Sequence, residues 1–318
     1  MIKKGLSPRL AEIGKIKIGG KSPEKRKSKK TGKEYQSPVR FNHFVVTTTE
    51  KGEDGNFKIN NEIMKKVGAE PKEISIRLPF DSIDMNFYTQ FSYYHGNKCL
   101  CHGDGEKATR ILKDDTEKHI ECKPEKCEFL QAEKCKVSGI LSCFLSCSME
   151  IGGVYRFRTH SWNSVSNILA SLQYFSEQTN GILQGLPLKL KLIRKATREH
   201  GNVWVVTVVL DGIEFIRMRE LAGAEYKNRM ELGINMKQIE QKARETGFLN
   251  DTDDPEDIQT EYYPVEETQQ PEEKGDSPED VKEKIEKKSE KSKKLDKSDK
   301  SDKQEEKKIE DPQPEDLF

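Results

Sequence analysis

Leu186-Pro-Leu-Lys-Leu-Lys-Leu192, then Val203-Trp-Val-Val-Thr-Val-Val-Leu210 closed by Asp211-Gly212, is the stretch that decides the fold. The first run alternates apolar and basic residues, the period-two pattern of a strand with one wet face. The second is a continuous β-branched run, as expected of a strand covered more fully. Together they predict a long antiparallel hairpin. Just upstream, Val165, Ile168, Leu169, Leu172 and Phe175 recur at i, i+3, i+4, i+7 and i+10. Between the strand-like Val154-Tyr-Arg-Phe-Arg-Thr159 and Asn180-Gly181, this spacing predicts a helix that lays one apolar face on a sheet, capped by Ser164 or a neighbour. Further out, Phe41-Asn-His-Phe-Val-Val-Thr47 is a strand that ends in the turn residues after Glu50. Asn61 to Val67 is a short helix stopped by Gly68, and Glu73-Ile-Ser-Ile-Arg77 is a strand ended by Pro79. A helical region follows from Ile216 to Thr246, interrupted near Gly233. Strands and helices do not alternate regularly, so the expected class is α+β: antiparallel sheets with packed helices, not a doubly wound sheet.

Of the 318 residues, 33% are hydrophobic and 35% charged, too polar for one uniformly packed globule. Residues 251–318 hold 25 acids and 13 bases with few large apolar side chains. Such a segment cannot offset its ordering entropy by burial, and a disordered acidic and lysine-rich tail is expected there. The formal net charge of zero is therefore a cancellation, because the rest of the chain carries about +12. Much of that excess lies in residues 1–37, read as a basic arm with a short edge strand at Ile13 to Gly20 and a mobile lysine-rich loop after it. The expected organisation is this arm, an α+β body over 38–212 that includes a cysteine-rich segment at 99–135, a helical segment at 213–250, and the tail. No apolar run approaches the roughly 20 residues of a membrane span, and the first residues lack the pattern of a secretory signal. A cytoplasmic protein without a membrane partner is expected.

Gly19-Gly-Lys-Ser22 resembles the end of a phosphate-binding loop, but Lys15 stands where the first glycine is required. Neither HExxH nor GxSxG occurs, which removes the best support for a zinc peptidase or a serine hydrolase. His102, Asp104, His119 and His160 are the candidates for general acid or base work, although Asp104 between two glycines is ordinary turn chemistry.

Five of the seven cysteines, Cys99, Cys101, Cys122, Cys127 and Cys135, fall in one polar stretch. In a protein expected in a reducing compartment, thiols gathered this way point to metal or free thiols before disulfides. Cys101, Cys122, Cys127 and Cys135 are the proposed ligands of a closed structural Zn2+, which supplies folding free energy to a segment with little core of its own. Cys99 replacing Cys101, and His102 entering as a ligand, are the alternatives. Cys143 and Cys147 instead sit in an apolar run, four apart on one strand face, as small buried residues. Arg156 and Arg158 share a strand face that is either a phosphate or partner contact or a half-buried surface meeting local acids.

Ile13-Gly-Lys-Ile-Lys-Ile-Gly-Gly20, Phe41-Asn-His-Phe-Val-Val-Thr47, Cys101-His-Gly-Asp-Gly-Glu-Lys-Ala-Thr-Arg110, the three later cysteines, Gly153-Val-Tyr-Arg-Phe-Arg-Thr-His-Ser-Trp162 and Gly185-Leu-Pro-Leu-Lys-Leu190 occur in this order. Over about residues 8–212 the chain resembles the phage recombination directionality factor-like proteins, some of which carry the label of hydrolase or metal-binding protein. The resemblance implies a non-catalytic regulator in a bacterial host. It would bind a large serine integrase on attachment-site DNA and favour prophage excision over integration, with no small-molecule substrate. Gly103, Asp104, Gly105 and Arg110 match the family pattern and take the role of shaping the metal loop. A zinc-dependent hydrolase and a phage DNA-binding protein are the competing readings.

Overall fold

The computed structural model describes residues 10–245, apart from 28–33, 54–55, 96–97, 113–115, 133, 149–151 and 198–200. The tail expected from residue 251 lies outside the described residues. β1 (Ala11–Lys27) and β2 (Glu34–Lys51) form a long antiparallel pair, and β3 (Phe57–Ile59) joins the other edge of β2. α1 (Asn61–Val67) begins where the Asn60 side chain accepts the Ile63 amide at 3.1 Å and stops at Gly68, whose φ of 104° suits a residue without Cβ. β4 (Glu73–Arg77) and the short α2 (Ile83–Asn86) precede an antiparallel run of β5 (Phe87–His95), β6 (Lys98–Gly103), β7 (Lys107–Ile111) and β8 (Glu117–Glu121). The single turn α3 (Glu128–Gln131) returns the chain to β9 (Lys136–Leu145). β10 (Gly153–Thr159), α4 (Trp162–Gln178), β11 (Leu188–Thr197), β12 (Gly201–Leu210), α5 (Phe215–Leu232) and α6 (Met236–Glu245) follow.

The strands join in the order β3-β2-β1-β10-β9-β5-β6-β7-β8, and β1 with β10 is the parallel pair. β9 is the seam of the molecule. One edge pairs with β10, while the other is shared by β5 over residues 136–141 and by β4 at 144–145. Through β4 the seam carries β11 and β12. α4 covers β12 with Val165, Ile168, Leu172 and Phe175, each buried and each contributing roughly 2 kcal/mol by area. Gly139 on β9 leaves room beside it for Phe87 and for α4: a Cβ there would stand 2.6 Å from the Phe87 ring and 3.0 Å from Val165. Phe44, Leu141, Phe157, Leu188 and Leu190 complete the centre of the core.

The α+β class holds, as do the hairpin, α1, α4 and the break at Gly233. The hairpin runs in unbroken register from Leu188 opposite Leu210 to Thr197 opposite Gly201, and its wet-face Lys189 and Lys191 meet Glu73 at 2.6 and 2.7 Å. The cap of α4 is Ser161, whose side chain accepts the Ser164 amide at 3.4 Å. Ser164 is itself buried and its hydroxyl accepts the Val206 amide at 3.1 Å.

Two expectations need correction. Ile13 to Gly20 is not at an edge: β1 lies between β2 and β10, and it continues to Lys27, so much of the expected arm is built into the sheet. Cys143 and Cys147 do not share a strand face, because β9 ends at Leu145 and Cys147 falls in the following turn.

Candidate metal centre

A one-residue irregularity decides which cysteines meet. Cys101 on β6 lies opposite Tyr93 on β5, but Cys99 lies opposite Tyr94, so Leu100 is the extra residue of a β-bulge. Tyr93 and Tyr94 point to opposite faces, and Cys101 and Cys99 therefore do too. Cys99 sits 4.0 Å from the Nδ1 of His102. His102, Thr109 and His119 are consecutive partners across β6, β7 and β8, and they occupy that second face. Neither proposed substitute ligand, Cys99 nor His102, lines the cleft that Cys101 faces.

That cleft, of about 250 Å³, is lined by Cys101, Cys122, Cys127 and Cys135 together with Phe91, Arg110, Ile120 and Phe129. Its rim is the tight turn between β6 and β7. Asp104 accepts the amides of Glu106 and Lys107 at 2.8 Å each, Gly105 takes a φ of 103°, and a Cβ on Gly103 would stand 2.6 Å from the Lys107 carbonyl oxygen. Asp104 is thus a turn residue. The Cys122 amide donates to the Glu106 carbonyl at 2.8 Å. Cys127 caps α3, its carbonyl accepting the Leu130 and Gln131 amides at 3.1 and 3.0 Å. The Cys135 amide donates to the Phe129 carbonyl at 2.9 Å. Phe129 stacks on Tyr93 with ring centroids 5.0 Å apart, and the Arg110 guanidinium lies 4.6 Å from the Phe129 centroid. The cysteine segment is therefore the far end of the main sheet, with a small apolar cluster of its own.

Burial, then the nearness of the other sulfurs, pushes the Cys135 thiol up to about 12 and the Cys122 thiol upward. Burial also raises Cys101, against which Arg110 acts by a hydrogen bond and its charge. As a donor set the four sulfurs match a closed zinc site. Their spacing stops short of one: among the described residues no group of three or more His, Cys, Asp or Glu is arranged to hold a metal ion. The structure brings the four sulfurs to one cleft.

The remaining candidates are scattered. His119 faces Thr109 Oγ1 at 3.2 Å. His160 is buried with Nδ1 against the Val137 carbonyl, and burial pushes its pKa down to about 4. Arg156 and Arg158 do not form an exposed basic face. Arg158 makes a two-pronged pair with Glu12 at 2.8 and 2.6 Å, Lys15 approaches the same carboxylate at 3.1 Å and Arg156 at 3.6 Å. The alternative in which these arginines meet a local acid is the arrangement observed. Glu12 itself escaped the sequence reading, since its partners lie on a parallel strand far along the chain.

Against known proteins, a family model described as Gp3-like, recombination directionality factor-like, matches residues 13–215. The match spans β1 to the start of α5 and includes the whole cysteine cleft. No curated protein and no solved structure matches the chain.

Proposed function

The chain belongs to the recombination directionality factor-like family, and from that premise we propose that it is a non-catalytic regulator that binds a large serine integrase on attachment-site DNA and favours excision over integration. The family match over the body and the cysteine cleft is the observation that carries this reading. Such a regulator breaks no bond. It acts by binding one arrangement of the integrase better than another, and moving a preference from 1:99 to 99:1 takes about 5.5 kcal/mol of differential affinity. That work needs a rigid, shaped surface. A structural zinc on Cys101, Cys122, Cys127 and Cys135 belongs to the same proposal, as the crosslink that holds the end of the sheet to one shape.

Geometry weighs against the competing readings. A zinc hydrolase needs an acid or base beside an open coordination position, yet Asp104 is spent on the turn and His102 faces away. A DNA-binding face at Arg156 and Arg158 is closed by Glu12.

The test combines the purified full chain with its element's integrase and paired attachment sites. Stimulation of recombination between the hybrid sites, and inhibition between the original ones, is expected. A folded, metal-loaded sample that does neither overturns the proposal. Metal analysis is expected to find one zinc per chain, and little in Cys122→Ser.

A further inference from the structure

We infer that Arg110 is the positioning residue of the thiolate centre, its planar guanidinium donating hydrogen bonds to metal-bound sulfur from just outside the coordination sphere. This rests on the zinc reading above and goes beyond the role of shaping a loop.

Three observations carry it. Arg110 on β7 is the direct cross-strand partner of Cys101 on β6, so both side chains line the cleft, and the guanidinium acts to lower that thiol's pKa against the effect of burial. The guanidinium is fixed in plane, 4.6 Å from the Phe129 centroid, and Phe129 is in turn stacked on Tyr93. Its Nε is buried and has no acceptor. A buried donor left unsatisfied is costly, and its retention at the cleft is accounted for by an acceptor that completes the site. The cleft offers the carboxylates of Glu121 and Glu128 and four sulfurs as acceptors, and the sulfur of Cys101 is the one directly across the strand pair from Arg110. Four thiolates on a divalent cation carry a net charge of −2, which an adjacent guanidinium partly offsets. Lysine brings the charge but not the rigid fork of donors.

The test uses the full-length chain, with zinc affinity measured by chelator competition at fixed pH and cobalt(II) as the spectroscopic probe. Arg110→Met is expected to weaken zinc binding about 10- to 100-fold, the range for losing an outer-shell partner. The tetrahedral cobalt bands should persist while the sulfur-to-cobalt charge-transfer band shifts. Arg110→Lys, the milder variant should the methionine one fail to fold, is expected to show the same band shift. Wild-type affinity and an unmoved band in either folded variant overturn the inference and leave the zinc reading standing. A wild-type chain that binds neither zinc nor cobalt overturns both.

Discussion

Glu12 shows what a single carboxylate does on the seam between β1 and β10. Burial raises its pKa, but the Arg158 hydrogen bond and the charges of Arg158, Lys15 and Arg156 outweigh it and hold the carboxyl at about 2, against 4.5 unperturbed. A group lowered in this way stabilises the fold in full above about pH 4.5, and the contribution is lost as pH falls toward 2. At 1.36 kcal/mol per unit, the shift corresponds to roughly 3 kcal/mol. Glu12→Gln is expected to cost about that much at pH 7. In urea unfolding of both proteins from pH 7 to pH 2, the gap between them should close below pH 4.5; a gap that stays constant refutes the assignment. The strand alternation in the sequence placed Arg156 and Arg158 on one face. It had no means of finding their partner, because parallel pairing sets Glu12 146 positions from Arg158 and leaves no local spacing to read.

Among the elements, α5 and α6 are fastened differently from the rest. Of α5 only Met218, Ala222 and Arg229 are buried, and of α6 only Glu240. The attachment is chiefly polar. Arg229 pairs with Asp81 and meets Gln184 at 3.0 Å, while Asp81 accepts the Leu183 and Gln184 amides at 3.0 and 2.9 Å. Glu240 accepts the Asp81 and Ser82 amides at 2.7 and 3.0 Å, and Arg244 pairs with Asp84. Removing one partner of such a pair costs about 3 kcal/mol. Arg229→Met should therefore raise amide exchange in α5 and α6 roughly a hundredfold and leave α4 and β9 unchanged. Equal acceleration everywhere would mean that the clasp is part of the global fold. Helices and local hairpins were legible in the sequence because their periods and stop residues are local. The clasp was not, since it joins residues about 150 positions apart, nor was the bulge at Leu100, which no period of two announces.

At the scale of the whole molecule, the sheet joins two bodies of unequal strength. The main core gathers side chains from β1 through α5 around Leu141, Phe157, Leu172 and Leu190. The cysteine end has a separate cluster of Tyr93, Cys101, Ala108, Phe129 and Cys135, which is small and includes two of the proposed ligands. At roughly 1.5–3 kcal/mol per large buried side chain, that cluster falls short of the entropy of ordering β6, β7, β8 and α3. The seam at β9 anchors one side of this end through β5, but β6, β7 and β8 extend outward from it. Zinc binding would supply the difference and so act as local folding energy. Because the metal must displace protons from thiols raised by burial, zinc affinity should rise with pH between 6 and 8. Stripping the metal from the full chain with a chelator should then release amide protection in β6, β7 and β8, spare β11, β12 and α4, and abolish the effect on recombination. Readdition of zinc should restore both. Protection that survives complete metal removal would show that the sheet alone orders this end, and the cysteines would then need a different explanation.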